Sequence, residues 1–149
     1  MRFVRGRVLD IGSGAGRHSL YLQGKGYEVV AIDNSPLALE VCRQRGLRNT
    51  KQVPISRKNS GLGIFDTVLM MGNNFGLFGS YDWAKRSLKK LHKIMSGQAR
   101  IIATSNEVYH TEAPEHLAYH ERNRERGRMG GQIRLRVRYR MYRVPGLTI

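Results

Sequence analysis

The sequence holds a single cysteine, Cys42, in 149 residues. A lone thiol excludes an internal disulfide framework and a cysteine-based zinc site, and it suits a reducing compartment. Placed on a helix, Cys42 reads as a small, half-buried packing residue rather than a centre of chemistry. Long apolar runs are missing too. None approaches the length that crosses a bilayer, and the arginines of Met1 to Val8 are not followed by the hydrophobic segment of a signal peptide. The expectation is a cytoplasmic protein with no membrane partner. Acid is scarce: 11 Asp plus Glu stand against 26 Lys plus Arg, a formal charge of +15. Such a field attracts nucleic acid, acidic surfaces or anionic metabolites, which names a class of partner and no reaction. There is no internal repeat. What remains supports one compact domain, because 40% hydrophobic residues can build a core and the length is too short for two ordinary domains.

Apolar runs that end in glycine or acid set the organisation. RVLDIG (residues 7–12) and EVVAID (28–33) read as buried parallel strands, and Ala15 to Gln23 between them reads as a helix stopped by Gly24 and Gly26. Ser35 as N-cap and Pro36 at the first helical position start a second helix that runs to Arg45 and closes at Gly46. Its inner side takes Leu37, Ala38, Val41 and Cys42. Gln52 to Ser56 is a weaker strand, and FDTVLMMG (65–72) a buried one. Tyr81 to Met95 has helical spacing, with Ala84, Leu88, Leu91 and Met95 on one face, lysines and Arg86 on the other, and Gly97 at its end. ARIIATS (99–105) supplies a fifth strand. This alternation calls for a mostly parallel sheet with helices on both faces.

The last third differs in character. Glu112 to Arg126 is charged and helical, with Pro114 in its first turn. Gln132 to Tyr142 then alternates strictly. Ile133, Leu135, Val137, Tyr139 and Met141 point one way, while Arg134, Arg136, Arg138 and Arg140 point the other. That pattern is a half-buried antiparallel strand whose arginine face is solvated, and an unpaired edge of this kind invites a hairpin partner or a second copy of the chain, hence a homodimer.

Chemistry concentrates in V8-L-D-I-G-S-G-A-G-R17, where an acid ends the first strand and glycines follow at 12, 14 and 16. Glycine permits close backbone approach and unusual dihedrals, and the helix beyond offers free N–H groups and a positive dipole end to a carboxylate. A dinucleotide fingerprint counted from Gly12 needs glycine at 17, where Arg17 stands. Asp10 would also repel a pyrophosphate, whereas it suits a ligand carrying an ammonium group. Asp33 ends the second strand and can accept from both hydroxyls of a ribose. Two acids at successive strand ends fit one nucleoside-bearing ligand lying across the sheet.

With VLDIGSGAGRHSLYL, GYEVVAIDNSP and FDTVLMMGNNFGLFG in place, residues 7 to 105 resemble the class I S-adenosylmethionine-dependent methyltransferases of the small-molecule type. The resemblance implies an enzyme with S-adenosylmethionine as cofactor. Asp10, Gly12, Gly14 and Gly16 would hold its methionine part, Asp33 its ribose and Asn34 the adenosine edge, with Ser56 near the adenine and Met71 bordering the site. Asn73, Asn74 and Phe75 would face the methyl group and its acceptor. Members that methylate exocyclic amino groups of bases usually have N-P-P-aromatic there, and this segment has no proline. No base is assigned among Tyr109, His110, His116 and His120. Relative to the family, the first strand starts about six residues in and the chain stops soon after Tyr142, so the resemblance implies a core shortened at both ends.

The expected structure is therefore a Rossmann-like three-layer α/β sandwich with strand order 3-2-1-4-5 over residues 1–105. A charged helix and an arginine-rich β appendage, residues 106–149, complete the same domain. The expected function is methyl transfer to a small-molecule acceptor; the alternative is a cofactor- or nucleic-acid-binding remnant without turnover, or an RNA methyltransferase.

Overall fold

The computed structural model describes residues 3–54 and 61–133, together with the backbone of 134–135, 138–139, 142–143 and 147–148. In chain order the elements are β1 (Val8–Ile11), α1 (Arg17–Gly24), β2 (Val29–Asp33), α2 (Pro36–Gln44), β3 (Thr50–Gln52), β4 (Phe65–Met70), a 3-10 turn (Asn74–Phe78), α3 (Tyr81–His92), β5 (Met95–Ala103), α4 (Pro114–Glu125), and short strands β6 (Arg134–Leu135), β7 (Arg138–Tyr139), β8 (Tyr142–Arg143) and β9 (Leu147–Thr148). They fall into two compact units, one of Met1–Phe75 and Arg86–Ser105, the other of Gly76–Lys85 and Asn106–Ile149.

The first unit is the expected Rossmann-like sheet, five parallel strands in the order β3-β2-β1-β4-β5. The chain steps outward from β1 to β3 and then returns to build β4 and β5 on the other side. Right-handed crossovers consequently set α1 and α2 on one face and the β4–β5 connection on the opposite one. The central strands are apolar on both faces, as a sheet covered twice must be, and Val8, Leu9, Val68, Leu69 and Met70 are fully buried. On the α1 and α2 face, Leu22 joins Val4, Val8, Val29 and Leu69 in one cluster, and Cys42 joins Ala31 and Leu47 in another.

Local chemistry explains where the elements begin and end. Ser35 Oγ accepts from the Ala38 N–H at 3.2 Å and Pro36 stands in the first turn, so α2 starts as its sequence specifies. Its inner face differs from expectation. Leu39 and Cys42 are buried, whereas Leu37 is 78% exposed and Val41 lies open as well. Cys42 faces the sheet as expected, and Leu39 takes the place expected of Leu37 and Val41. The third strand is Thr50–Gln52, starting earlier than the expected Gln52, while residues 55 and 56 of the expected strand lie outside the described residues. α3 ends at His92 and not at Met95. Gly97 is no helix stop but lies inside β5, within the stretch where the pairing with β4 slips from Phe65↔Met95 to Thr67↔Arg100.

In the second unit α4 begins with Pro114 in its first turn. Buried Asn123 donates to the Gly130 and Gln132 carbonyls at 2.7 and 2.8 Å, and the His120 ring rests against Tyr109. Within the run from Gln132 to Tyr142 the described strand residues are 134–135, 138–139 and Tyr142. β7 pairs antiparallel with β8 (Tyr139↔Tyr142), and β6 with β9 (Leu135↔Leu147), so parts of this run have partners within the chain, one of the two arrangements expected. Ile133 is exposed, and the expected facing of the later side chains lies outside the described residues. No helix among the described residues is long and apolar enough to cross a membrane.

Candidate functional site

The carboxyl ends of β1, β2 and β4 lie side by side, with Asp10 opposite Ala31 on one side and opposite Leu69 on the other. Beyond Ile11 the chain leaves the sheet through Gly12 to Gly16, with the Gly12 and Ser13 amides still donating to the Ile32 carbonyl at 2.9 and 3.2 Å. Gly12 has φ +71°, and a Cβ there would stand 2.5 Å from Asn74 Nδ2, so position 12 needs glycine twice over. Gly16 is the N-cap of α1 in the left-handed region, and the helix start has no side-chain cap. Gly14 faces open space, with no heavy atom within 4 Å of where a Cβ would be.

Asp33 closes this turn against β2. One carboxylate oxygen accepts from the Gly14 N–H at 2.9 Å, and the other from the Ser35 N–H at 2.9 Å. The carboxylate remains half-buried, so lone pairs are left for hydroxyl donors. Asn34 is exposed beside it, its carbonyl accepting from Gln52 Nε2.

Asp10 sits differently from an open ligand-facing acid. It is 2% exposed and accepts from Ser19 Oγ at 2.6 Å, which anchors the start of α1 to the end of β1. Burial pushes its carboxyl above the ordinary carboxylate range; the Ser19 hydrogen bond pulls the other way, and the nearby Asp33 charge adds to the rise. Cys42 is fully buried, not half-buried, and its thiol donates to the Gly14 carbonyl at 3.1 Å. Burial raises the thiol pKa as well, and the sulfur braces the turn through its bond to Gly14. The Ser13 side chain stands beside the thiol and offsets part of that rise.

After β4 the backbone doubles back through Gly72 and Asn73, both left-handed at φ +71° and +67°. Asn73 N–H donates to Thr104 Oγ1 at 3.1 Å, and Asn74 Nδ2 donates to the Ile11 and Gly12 carbonyls at 2.9 and 2.8 Å. Met71 packs on the Val8 cluster, and Phe75 is 36% exposed. Ser56 lies outside the described residues. The structure thus gathers Asp10, Gly12, Gly14, Gly16, Asp33, Asn34, Met71, Asn73 and Asn74 around the ends of three adjacent strands. Ser19 and Cys42, whose partners are Asp10 and Gly14, were missed as members; both carry i to i+n contacts that a linear motif does not display.

A Rossmann-like sheet whose glycine turn is clamped by an acid from the next strand defines a nucleoside-type ligand site. Residues 8–97 match the family described as a methyltransferase domain, more than half of the chain, and the chain belongs to that family. Among solved structures it is similar to a SAM-dependent methyltransferase from Bacteroides fragilis in complex with S-adenosyl-L-homocysteine, with TM-score 0.78 and 28% identity, covering 99% of this chain and 58% of that one. A SAM-dependent methyltransferase from Methanosarcina mazei shares the fold, with TM-score 0.73, 19% identity, and 91% and 69% of the two chains covered. The CcbJ methyltransferase from Streptomyces caelestis does so with TM-score 0.59 and 18% identity over 64% of this chain and 41% of its own. The chain therefore spans 58% and 41% of the lengths of the Bacteroides and Streptomyces proteins. Among curated proteins no sequence matches it.

Proposed function

We propose that this chain binds S-adenosylmethionine across the carboxyl ends of β1 and β2 and transfers its methyl group to a small-molecule acceptor held at the segment after β4. The observation that carries the reading is the Asp33 carboxylate bonded to the Gly14 amide, in a chain that belongs to the methyltransferase domain family. The residues present fit the cofactor. Gly14 leaves its side of the turn open, the start of α1 presents main-chain donors without a side-chain cap, and Asp33 keeps acceptor capacity for a ribose. Bound there, the sulfonium supplies an activated methyl group. The chain's own task is then orientation, because methyl transfer depends on alignment of nucleophile, carbon and sulfur more than on proton transfer.

Roles follow from position. Gly12, Gly14 and Gly16 admit the methionine part, Asp33 orients the ribose, and Asn34 borders the adenosine. Asp10 acts from below, fixing α1 through Ser19 and adding negative potential toward an ammonium group. Asn73 and Phe75 stand on the acceptor side. A cytoplasmic setting suits a protein whose only cysteine is buried and unpaired.

Calorimetric titration with S-adenosylmethionine and S-adenosylhomocysteine tests the site. Binding to the wild type is expected, with a loss of roughly 1–3 kcal/mol in Asp33→Asn, the usual scale for a charge-assisted hydrogen bond. Equal affinity in a variant that melts normally would remove Asp33 from the site. Product formation from labelled S-adenosylmethionine across a metabolite and RNA panel separates turnover from binding alone.

A further inference from the structure

We infer that Asn74 is a positioning residue: its side-chain amide sets the register between the segment after β4 and the glycine turn after β1, and thereby the geometry of the donor pocket. The inference rests on the proposed use of that turn for S-adenosylmethionine.

Ile11 and Gly12 are where the chain departs from the sheet, and their carbonyls accept the two amide protons of Asn74 at 2.9 and 2.8 Å. Because both partners are carbonyl oxygens, only the nitrogen end of the amide can face them, so the orientation of the side chain is fixed. The same nitrogen occupies the space that the missing Cβ of Gly12 leaves free, 2.5 Å from where that atom would be. On its other flank the segment is tied to the end of β5, through Asn73 N–H to Thr104 Oγ1 at 3.1 Å and Thr104 N–H to the Met70 carbonyl at 3.0 Å. One amide therefore joins the acceptor-side segment to the donor-side turn, 62 residues apart in sequence from Gly12.

The short amide matches this place in length and in donors. Asp has the same shape but would set oxygen against two carbonyl oxygens, Ala would leave both carbonyls without this donor, and Gln places the amide one methylene too far. Asn74 is thus not read as a group spent on the acceptor: both of its donors are committed to backbone. A reaction governed by alignment is sensitive to displacements well under an ångström at such a joint.

The test is S-adenosylhomocysteine titration of wild type, Asn74→Ala and Asn74→Asp, with thermal melts alongside. Asn74→Ala is expected to bind roughly tenfold more weakly at every pH, having lost two neutral hydrogen bonds. Asn74→Asp is expected to bind at least about tenfold more weakly near pH 8, and to recover to within about threefold of wild type near pH 5.5. There the protonated carboxyl, its pKa raised by the facing carbonyls, regains a donor. Wild type should change by less than about twofold over that window. The inference is overturned if Asn74→Ala binds as tightly as wild type, or if the Asn74→Asp defect is the same at both pH values. Should Asn74→Asp fail to fold near pH 8, the alanine variant decides alone. A folded wild type that takes no S-adenosylhomocysteine would sink the donor reading instead. The melts then judge the joint: acid rescue of Asn74→Asp stability sustains it, and melting identical to wild type overturns it.

Discussion

Asp10 is the residue whose environment conflicts most with its charge. It lies under the turn, 2% exposed, with Ser19 as its hydrogen-bond donor and Asp33 as a like-charged neighbour. A carboxyl whose pKa is raised on folding adds stability that is complete below the unfolded value and is lost as pH rises through the folded one. Asp10→Asn keeps an acceptor for Ser19 and has no charge to bury. Urea unfolding across pH should therefore show the variant gaining on wild type from about pH 4 toward neutrality. A constant difference at every pH would contradict this account. At this scale the sequence was readable where backbone geometry dictates residue type, as at Gly12, which tolerates no Cβ, and at Asp33, which ends its strand. It was opaque for Ser19, Cys42 and Asn74, because a serine, a thiol or an amide bonding to a distant main chain looks like any other serine, thiol or amide.

Among the elements, punctuation was legible and faces were less so. Ser35, Pro36 and Gly46 bounded α2 because caps act on neighbouring residues, and sequence records neighbours directly. The α3–β5 boundary was misplaced, since Gly97 carries the same letter whether it ends a helix or sits at a slip in a strand ladder. On the inner face of α2 Cys42 was foreseen, whereas Leu39 was missed in favour of Leu37 and Val41, because apolar residues stand on both sides of the helix and only the sheet selects among them. Leu39 and Leu37 make the contrast measurable. Leu39→Ala empties a fully buried site and should cost about 2–5 kcal/mol, whereas Leu37→Ala, at 78% exposure, should stay within about 0.5 kcal/mol, both by urea denaturation. Equal effects would mean that the helix sits rotated from the orientation described.

For the whole molecule, the parallel strand order was derivable because helices follow the first, second and fourth strands. The pairing in the tail was not, for an alternating run specifies two faces without naming its partner, here β8 for β7 and β9 for β6. Net charge acts at this scale and is indifferent to topology. With +15 the protein should be retained by an RNA or heparin matrix, and the retained affinity should fall at least about tenfold as salt rises from roughly 50 to 200 mM, followed by salt-gradient elution. Cofactor affinity should not follow that slope, since its proposed partners are backbone amides and carboxylates. A parallel decline of both would mean that the two ligands share one basic surface.

The interlock of Gly12 with Asn74 also constrains how this lineage can change. Any side chain arriving at position 12 collides with the amide, and any loss of the amide strands two carbonyls, so neither position can drift first without penalty. Shrinking residue 74 would clear the contact but not the left-handed backbone of residue 12, so position 12 stays glycine whatever stands at 74.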